Sequence, residues 1–87
     1  MNSGYIMVDI TGLDVSGAEA QTIPGIYERF ERAVASNKPI CAFGADNDGD
    51  KISPAFIVVT EGAGFGFTLG SFTAVVTSDD KVTPAEG

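Results

Sequence analysis

The densest run of potential ligands in the chain is Asp46-Asn47-Asp48-Gly49-Asp50. Carboxylates at Asp46, Asp48 and Asp50 alternate as in the opening of a calcium-binding loop, where hard oxygen ligands recur at every second position. The match then stops. Lys51 stands at the sixth position, where an EF-hand loop needs glycine for its sharp turn, and Ile57 at the twelfth, where a bidentate glutamate closes the ligand sphere. The same five residues are strong turn formers, because Asp-Gly and Asn accept the dihedrals of a reversal. The turn reading outweighs the ion reading. Asp46, Asp48 and Asp50 stand as the candidate divalent-cation ligands of the chain.

Other chemistry has fewer means. There is no histidine and one cysteine, so no disulfide closes within the chain and the usual zinc sites lack their ligands. Cys41, flanked by Ile40 and Ala42-Phe43, reads as a buried structural thiol, having no histidine to activate it. The serines lack that base too. Ser53 and Lys51 share a strand face, as any i and i+2 pair does, and this names no mechanism. Gly62-Ala63-Gly64-Phe65-Gly66 misses the GxGxxG spacing of a phosphate loop, and no helical pattern follows it. Asp79-Asp80 reads as a solvated turn with Asx-type bonding. No catalytic residue and no cofactor are expected.

Charge narrows the partners. Twelve acidic residues against five basic ones leave a net charge of −7, the wrong sign for a nucleic-acid backbone. No apolar run approaches the roughly 20 residues of a membrane-spanning helix. Met1-Asn2-Ser3-Gly4 lacks the basic region of an export signal, and Asp9 interrupts the nearest apolar stretch. Synthesis in a bacterial cytoplasm is the expectation. With 87 residues there is room for one hydrophobic core, so a single domain over 1–87 is expected, with flexible ends at 1–4 and 84–87.

These residues need a frame to position them. Tyr5 to Ile10 alternates, with Ile6, Val8 and Ile10 facing inward and Tyr5, Met7 and Asp9 the other way, which predicts a strand. Gly12 to Gln21 reads as a crossover loop. Ile23, Ile26, Tyr27, Phe30, Ala33 and Val34 then recur at helical spacing and predict a helix over Ile23–Ser36. Thr22 is the expected N-cap, and Asn37-Lys38-Pro39 the stop. Strands are predicted at Pro39–Ala45, in Lys51–Thr60 after Pro54, at Phe65–Leu69 and at Ser71–Thr77. A brief edge strand follows in Lys81–Gly87.

The result is an α+β domain of order β-α-β-β-β-β: a mixed, mostly antiparallel sheet with a single helix packed on one face. The crossover helix sets the first two strands parallel, and the short turns make later neighbours antiparallel. One helix cannot cover such a sheet. The stretch Ala55-Phe56-Ile57-Val58-Val59, apolar on both faces, and the rings of Phe65, Phe67 and Phe72 therefore predict an interface for self-association. A base-stacking role for these rings lacks the basic residues such platforms carry.

Thr22-Ile23-Pro24-Gly25-Ile26-Tyr27-Glu28-Arg29-Phe30 with Ser36-Asn37-Lys38-Pro39-Ile40 resembles a module of small virion-associated proteins of tailed bacteriophages and prophages, in which a helix ends in a Gly/Asn-Lys-Pro turn into a strand. Ser53-Pro54-Ala55-Phe56-Ile57-Val58-Val59 looks like their central strand, and Val76-Thr77-Ser78-Asp79-Asp80-Lys81-Val82-Thr83 like their closing turn and last strand. The likeness spans Thr22 to Thr83, and its motifs are structural rather than chemical. It implies a head-fibre, capsid-decoration or tail-associated component without enzymatic activity, incorporated in a virion and bound to itself or to other virion proteins. The alternative from charge alone is a small acidic regulatory or inhibitory protein that docks on a basic host partner.

Overall fold

The helical stripe forms where its spacing places it, but its beginning is set from elsewhere. In the computed structural model, which describes residues 4–16, 19–52, 56–60 and 64–85, the helix α1 runs from Ile26 to Ala35. Ile26, Phe30 and Ala33 are its buried residues. Gly25 precedes them in a left-handed conformation at φ 79°, which ends the turn through Ile23 and Pro24 before right-handed geometry starts. Thr22 is therefore not the N-cap, and no side chain next to the helix caps it.

The cap comes from the far end of the chain. One carboxylate oxygen of Asp80 accepts the Gly25 N–H at 2.9 Å, and the other accepts the Tyr27 N–H at 3.2 Å. These are donors that a helix leaves orphaned in its first turn, and a negative group suits the positive end of the helix dipole. The Asp80 carbonyl also accepts the Ile23 N–H at 3.0 Å. At the other end Asn37 takes φ 60°, the Ser36 hydroxyl donates to the Ala33 carbonyl at 2.6 Å, and Pro39 prevents continuation.

The strands are β1 (Ile6–Asp9), β2 (Gln21–Thr22), β3 (Ile40–Phe43), β4 (Phe56–Thr60), β5 (Gly64–Leu69), β6 (Phe72–Val76) and β7 (Lys81–Pro84). As expected, the crossover through α1 sets β1 and β3 parallel, with Ile6 opposite Ile40 and Val8 opposite Ala42. The remaining strands are antiparallel in the order β2-β7-β6-β5-β4. The α+β class and the single helix hold, while the mixed sheet is divided into a parallel pair and a five-stranded antiparallel sheet. Among the described residues the acidic turn closes one bridge, Ala45 to Lys51, and β4 pairs with β5.

Two details differ from the sequence reading. Gln21-Thr22 belongs to a strand, not a loop, and its pairing with Val82 and Lys81 places β7 inside the sheet rather than at an edge. Close backbone approach is seen at Gly64, where a Cβ would stand 2.2 Å from the Val76 carbonyl oxygen and φ is 113°. The segments 1–3, 17–18, 53–55, 61–63 and 86–87 lie outside the described residues. So do the side chains of 56–60, on which the doubly apolar reading of 55–59 depends.

The core joins both sheets through α1. Val8, Ile10 and Ala42 from the parallel side meet Ile26, Phe30 and Ala33 of the helix and Phe67, Leu69, Ala74, Val76 and Val82 of the large sheet. Phe30 stacks on Phe67 with ring centroids 5.2 Å apart, and Tyr27 tilts against Phe65 at 4.9 Å. Leu13, inside the crossover loop, is fully buried and anchors that loop to the same core. The Gln21 side-chain amide holds it further, accepting from the Asp14 N–H at 2.7 Å and donating to the Asp14 carbonyl at 3.0 Å.

A remote cap of this kind is measurable. Asp80→Ala removes the acceptors of two helix donors and disfavours the left-handed backbone at φ 65°. It is expected to lower stability by about 1–2 kcal/mol in urea denaturation. Asp80→Asn, which keeps one acceptor and tolerates that backbone, is expected to cost less than half of this. Equal midpoints for wild type and Asp80→Ala would refute the cap.

Candidate interaction surface

The acidic turn is occupied by its own backbone. One oxygen of the Asp46 carboxylate accepts the N–H groups of Asp48 and Asp50, both at 2.9 Å. The Asp46 N–H donates to the Asp50 carbonyl at 2.9 Å and the Gly49 N–H to the Asp46 carbonyl at 3.0 Å. Asp48 and Asp50 are exposed. Among the described residues no three Asp, Glu, His or Cys side chains gather as a metal-ligand set, and Asp46, Asp48 and Asp50 are not brought together. The arrangement fits an Asx-type reversal.

Of the three rings expected at an interface, Phe67 belongs to the core, and Phe65 and Phe72 are half-buried against it. Phe67 is 1% exposed beneath α1, Phe72 tilts against it at 6.3 Å, and Phe65 lies half-buried on Tyr27. Sequence alternation places Phe65, Phe67 and Leu69 on one face correctly. It cannot say which face the helix takes, and the helix takes theirs.

Among the described residues the large exposed apolar side chains lie on the parallel pair. One face of β1 and β3 presents Val8 and Ala42 to the core. The opposite face carries Tyr5, Met7 and Phe43, which are 63%, 59% and 40% exposed. Met7 and Cys41 are register partners, and Cys41 is half-buried at this outer surface rather than sealed in the core. Alternation at Tyr5, Met7 and Asp9 signals this face in the sequence. What it lacks is any sign that a two-stranded sheet has no second layer to cover it.

The polar rim of this face is held by local bonds. The Asp9 carboxylate accepts from the Thr11 hydroxyl at 2.6 Å and the Thr11 N–H at 3.0 Å. These bonds, with a smaller contribution from the Arg29 charge, hold its pKa below the ordinary 3.8. Asp79 is shifted the same way, chiefly by the hydroxyl of Thr77. Arg29 donates to the carbonyls of Asp9 at 3.0 Å and Pro24 at 3.3 Å, tying α1 to the end of β1. Among the described residues no helix is long and apolar enough to cross a membrane.

Comparison with protein-family models, with curated proteins and with solved structures finds no match to this chain.

The burial of Phe67 makes a direct prediction. Phe67→Ala is expected to cost about 3–5 kcal/mol of stability, as an aromatic ring lost from a packed core does. Phe43→Ala is expected to stay within about 0.5 kcal/mol of wild type in the same urea experiment, as an exposed substitution does. Similar effects for the two would contradict the placement of the core and of the outer face.

Proposed function

We propose that the chain is a non-enzymatic protein-interaction module, and that it serves as a virion-associated component of a tailed bacteriophage or prophage. The observation that carries the interaction reading is the outer face of the parallel pair, where Tyr5, Met7 and Phe43 stand exposed on one small surface. Apolar side chains grouped in this way lose water favourably when a second surface covers them. The assignment to a virion rests on the resemblance over Thr22 to Thr83, whose shared motifs build the frame. In this reading the chain is made in a bacterial cytoplasm, passes into a particle, and binds a second copy or another virion protein through the outer face.

Size supports the same reading. A domain of 87 residues has a thin margin of stability, and contact with a neighbouring subunit adds buried apolar area that the chain cannot supply alone. Without histidine, nucleophile activation lacks its commonest base. The negative charge, spread over turns and the helix exterior, serves solubility until docking.

Light scattering tests the self-association this reading implies. Wild type is expected to rise above its 9.0 kDa monomer mass between micromolar and millimolar concentration. The double variant Met7→Ser/Phe43→Ser is expected to remain monomeric, and at micromolar concentration, where both proteins are monomers, to keep the wild-type melting temperature. A wild-type mass fixed at the monomer value throughout, or an equal rise in the variant, would overturn self-association through this face.

A further inference from the structure

The edge of β1 carries a second feature, independent of the outer face. In the parallel ladder the Ile6 N–H donates to the Pro39 carbonyl at 2.8 Å and the Ile10 N–H to the Phe43 carbonyl at 2.9 Å. Even-numbered residues of β1 therefore turn their peptide groups toward β3, and Tyr5, Met7 and Asp9 turn theirs away. Among the described residues no strand pairs on that side, and β3 is the one partner of β1. The Arg29 bond to the Asp9 carbonyl fixes one outward acceptor. The N–H and C=O of Met7 face an open edge.

Beside this edge runs a groove of about 320 Å³ between β1 and α1. Met7, Arg29, Arg32 and Ser36 are among its lining residues, and no carboxylate lines it. Two of the chain's five basic residues are thus concentrated in one groove of a protein whose net charge is −7. Arg29 is bound to neutral carbonyls, and the Asp9 carboxylate is turned to Thr11. Arg32 is held by Glu28 at 3.2 Å, in an exposed i,i+4 pair that exchanges readily for a better-placed anion.

We propose that the open edge of β1 is a docking site for an extended acidic segment of another polypeptide, which adds a strand beside Met7 and places a carboxylate on Arg32 and Arg29. Backbone pairing supplies the attachment, and the two guanidinium groups select the side chain. At physiological ionic strength a charge is felt over about 8 Å, so remote carboxylates are screened, and the incoming carboxylate competes with Glu28 and Asp9, which lie beside Arg32 and Arg29. A second copy fits this edge poorly. Antiparallel β1-to-β1 pairing about a two-fold axis normal to the sheet puts both helices on one face and both Arg29/Arg32 pairs along the seam, where like charges meet. Stacking of the outer faces leaves the edge free, so this site and the self-association above stand or fall separately.

The test uses the whole chain and a fluorescent, capped peptide of sequence Thr-Val-Glu-Val-Glu-Val-Thr, with anisotropy for affinity and amide chemical shifts for location. Saturable binding is expected, with the largest shifts at Met7 and Asp9. Arg32→Glu, or a Lys-for-Glu peptide, is expected to weaken binding about ten-fold or more, the share of a single charge-assisted bond. Lys51→Glu, remote from the groove, is expected to leave it unchanged, and a peptide N-methylated on alternate residues is expected not to bind. No saturation at millimolar peptide, shifts centred on β2, β4 or the Phe43 face, or indifference to Arg32→Glu would overturn the proposal. So would concentration-dependent shifts of the residue 7 and Asp9 amides, without peptide, in the outer-face variant Met7→Ser/Phe43→Ser, which would make a second copy the occupant of the edge.

Discussion

The carboxylate of Asp80 occupies the first turn of α1, and much of the fold hangs on that placement. A helix of ten residues is too short to be stable by itself in water, so its apolar stripe must be docked and its end satisfied. Here both needs are met by the C-terminal hairpin. β7 brings Val82 into the core and pairs with Gln21-Thr22, and the turn just before it delivers Asp80 to Gly25 and Tyr27. The first third of the chain is thus closed onto its last few residues. Such contacts, more than fifty residues apart, carry a loop-closure cost that the shared core must offset.

Once the helix is fixed, the remaining geometry follows from how many faces it can cover. Its stripe faces β5 and β6 through the Phe30–Phe67 stack and β1 through the Val8 side. The helix therefore fills the space between two sheets, where a single sheet would have used only one side of it. This explains why Phe67 is buried and why Tyr5, Met7 and Phe43 stand exposed on the parallel pair. That pair has its inner face on the core, and its outer face and the β1 edge open.

Local pattern made most of the elements legible. The spacing from Ile26 to Val34 and the Asn37-Lys38-Pro39 stop describe the helix, and alternation in Phe65–Leu69 and Ser71–Thr77 describes β5 and β6 to within a residue or so. The parallel first pair follows from a connection long enough to carry a crossover helix. What stayed hidden was non-local. Asp80 reads as a turn residue because nothing in Ser78-Asp79-Asp80 reveals a helix end waiting 53 to 55 positions upstream. Gln21-Thr22 is too short to show any period, and its partner alone makes it a strand. The acidic turn carries the signal of a hairpin but not the number of bridges it closes. The outer face was readable as the alternate face of β1, whereas its exposure depends on the absence of a covering layer.

Native-state hydrogen exchange tests the central claim most directly, that the helix entry and the β6–β7 turn form one cooperative unit. The amides of Gly25 and Tyr27 donate to Asp80, so they are expected to open with the same free energy as the paired amides of β7, and Asp80→Asn is expected to release the two helix amides first. Exchange of Gly25 and Tyr27 at the rate of a fraying helix end, while β7 stays protected, would contradict it.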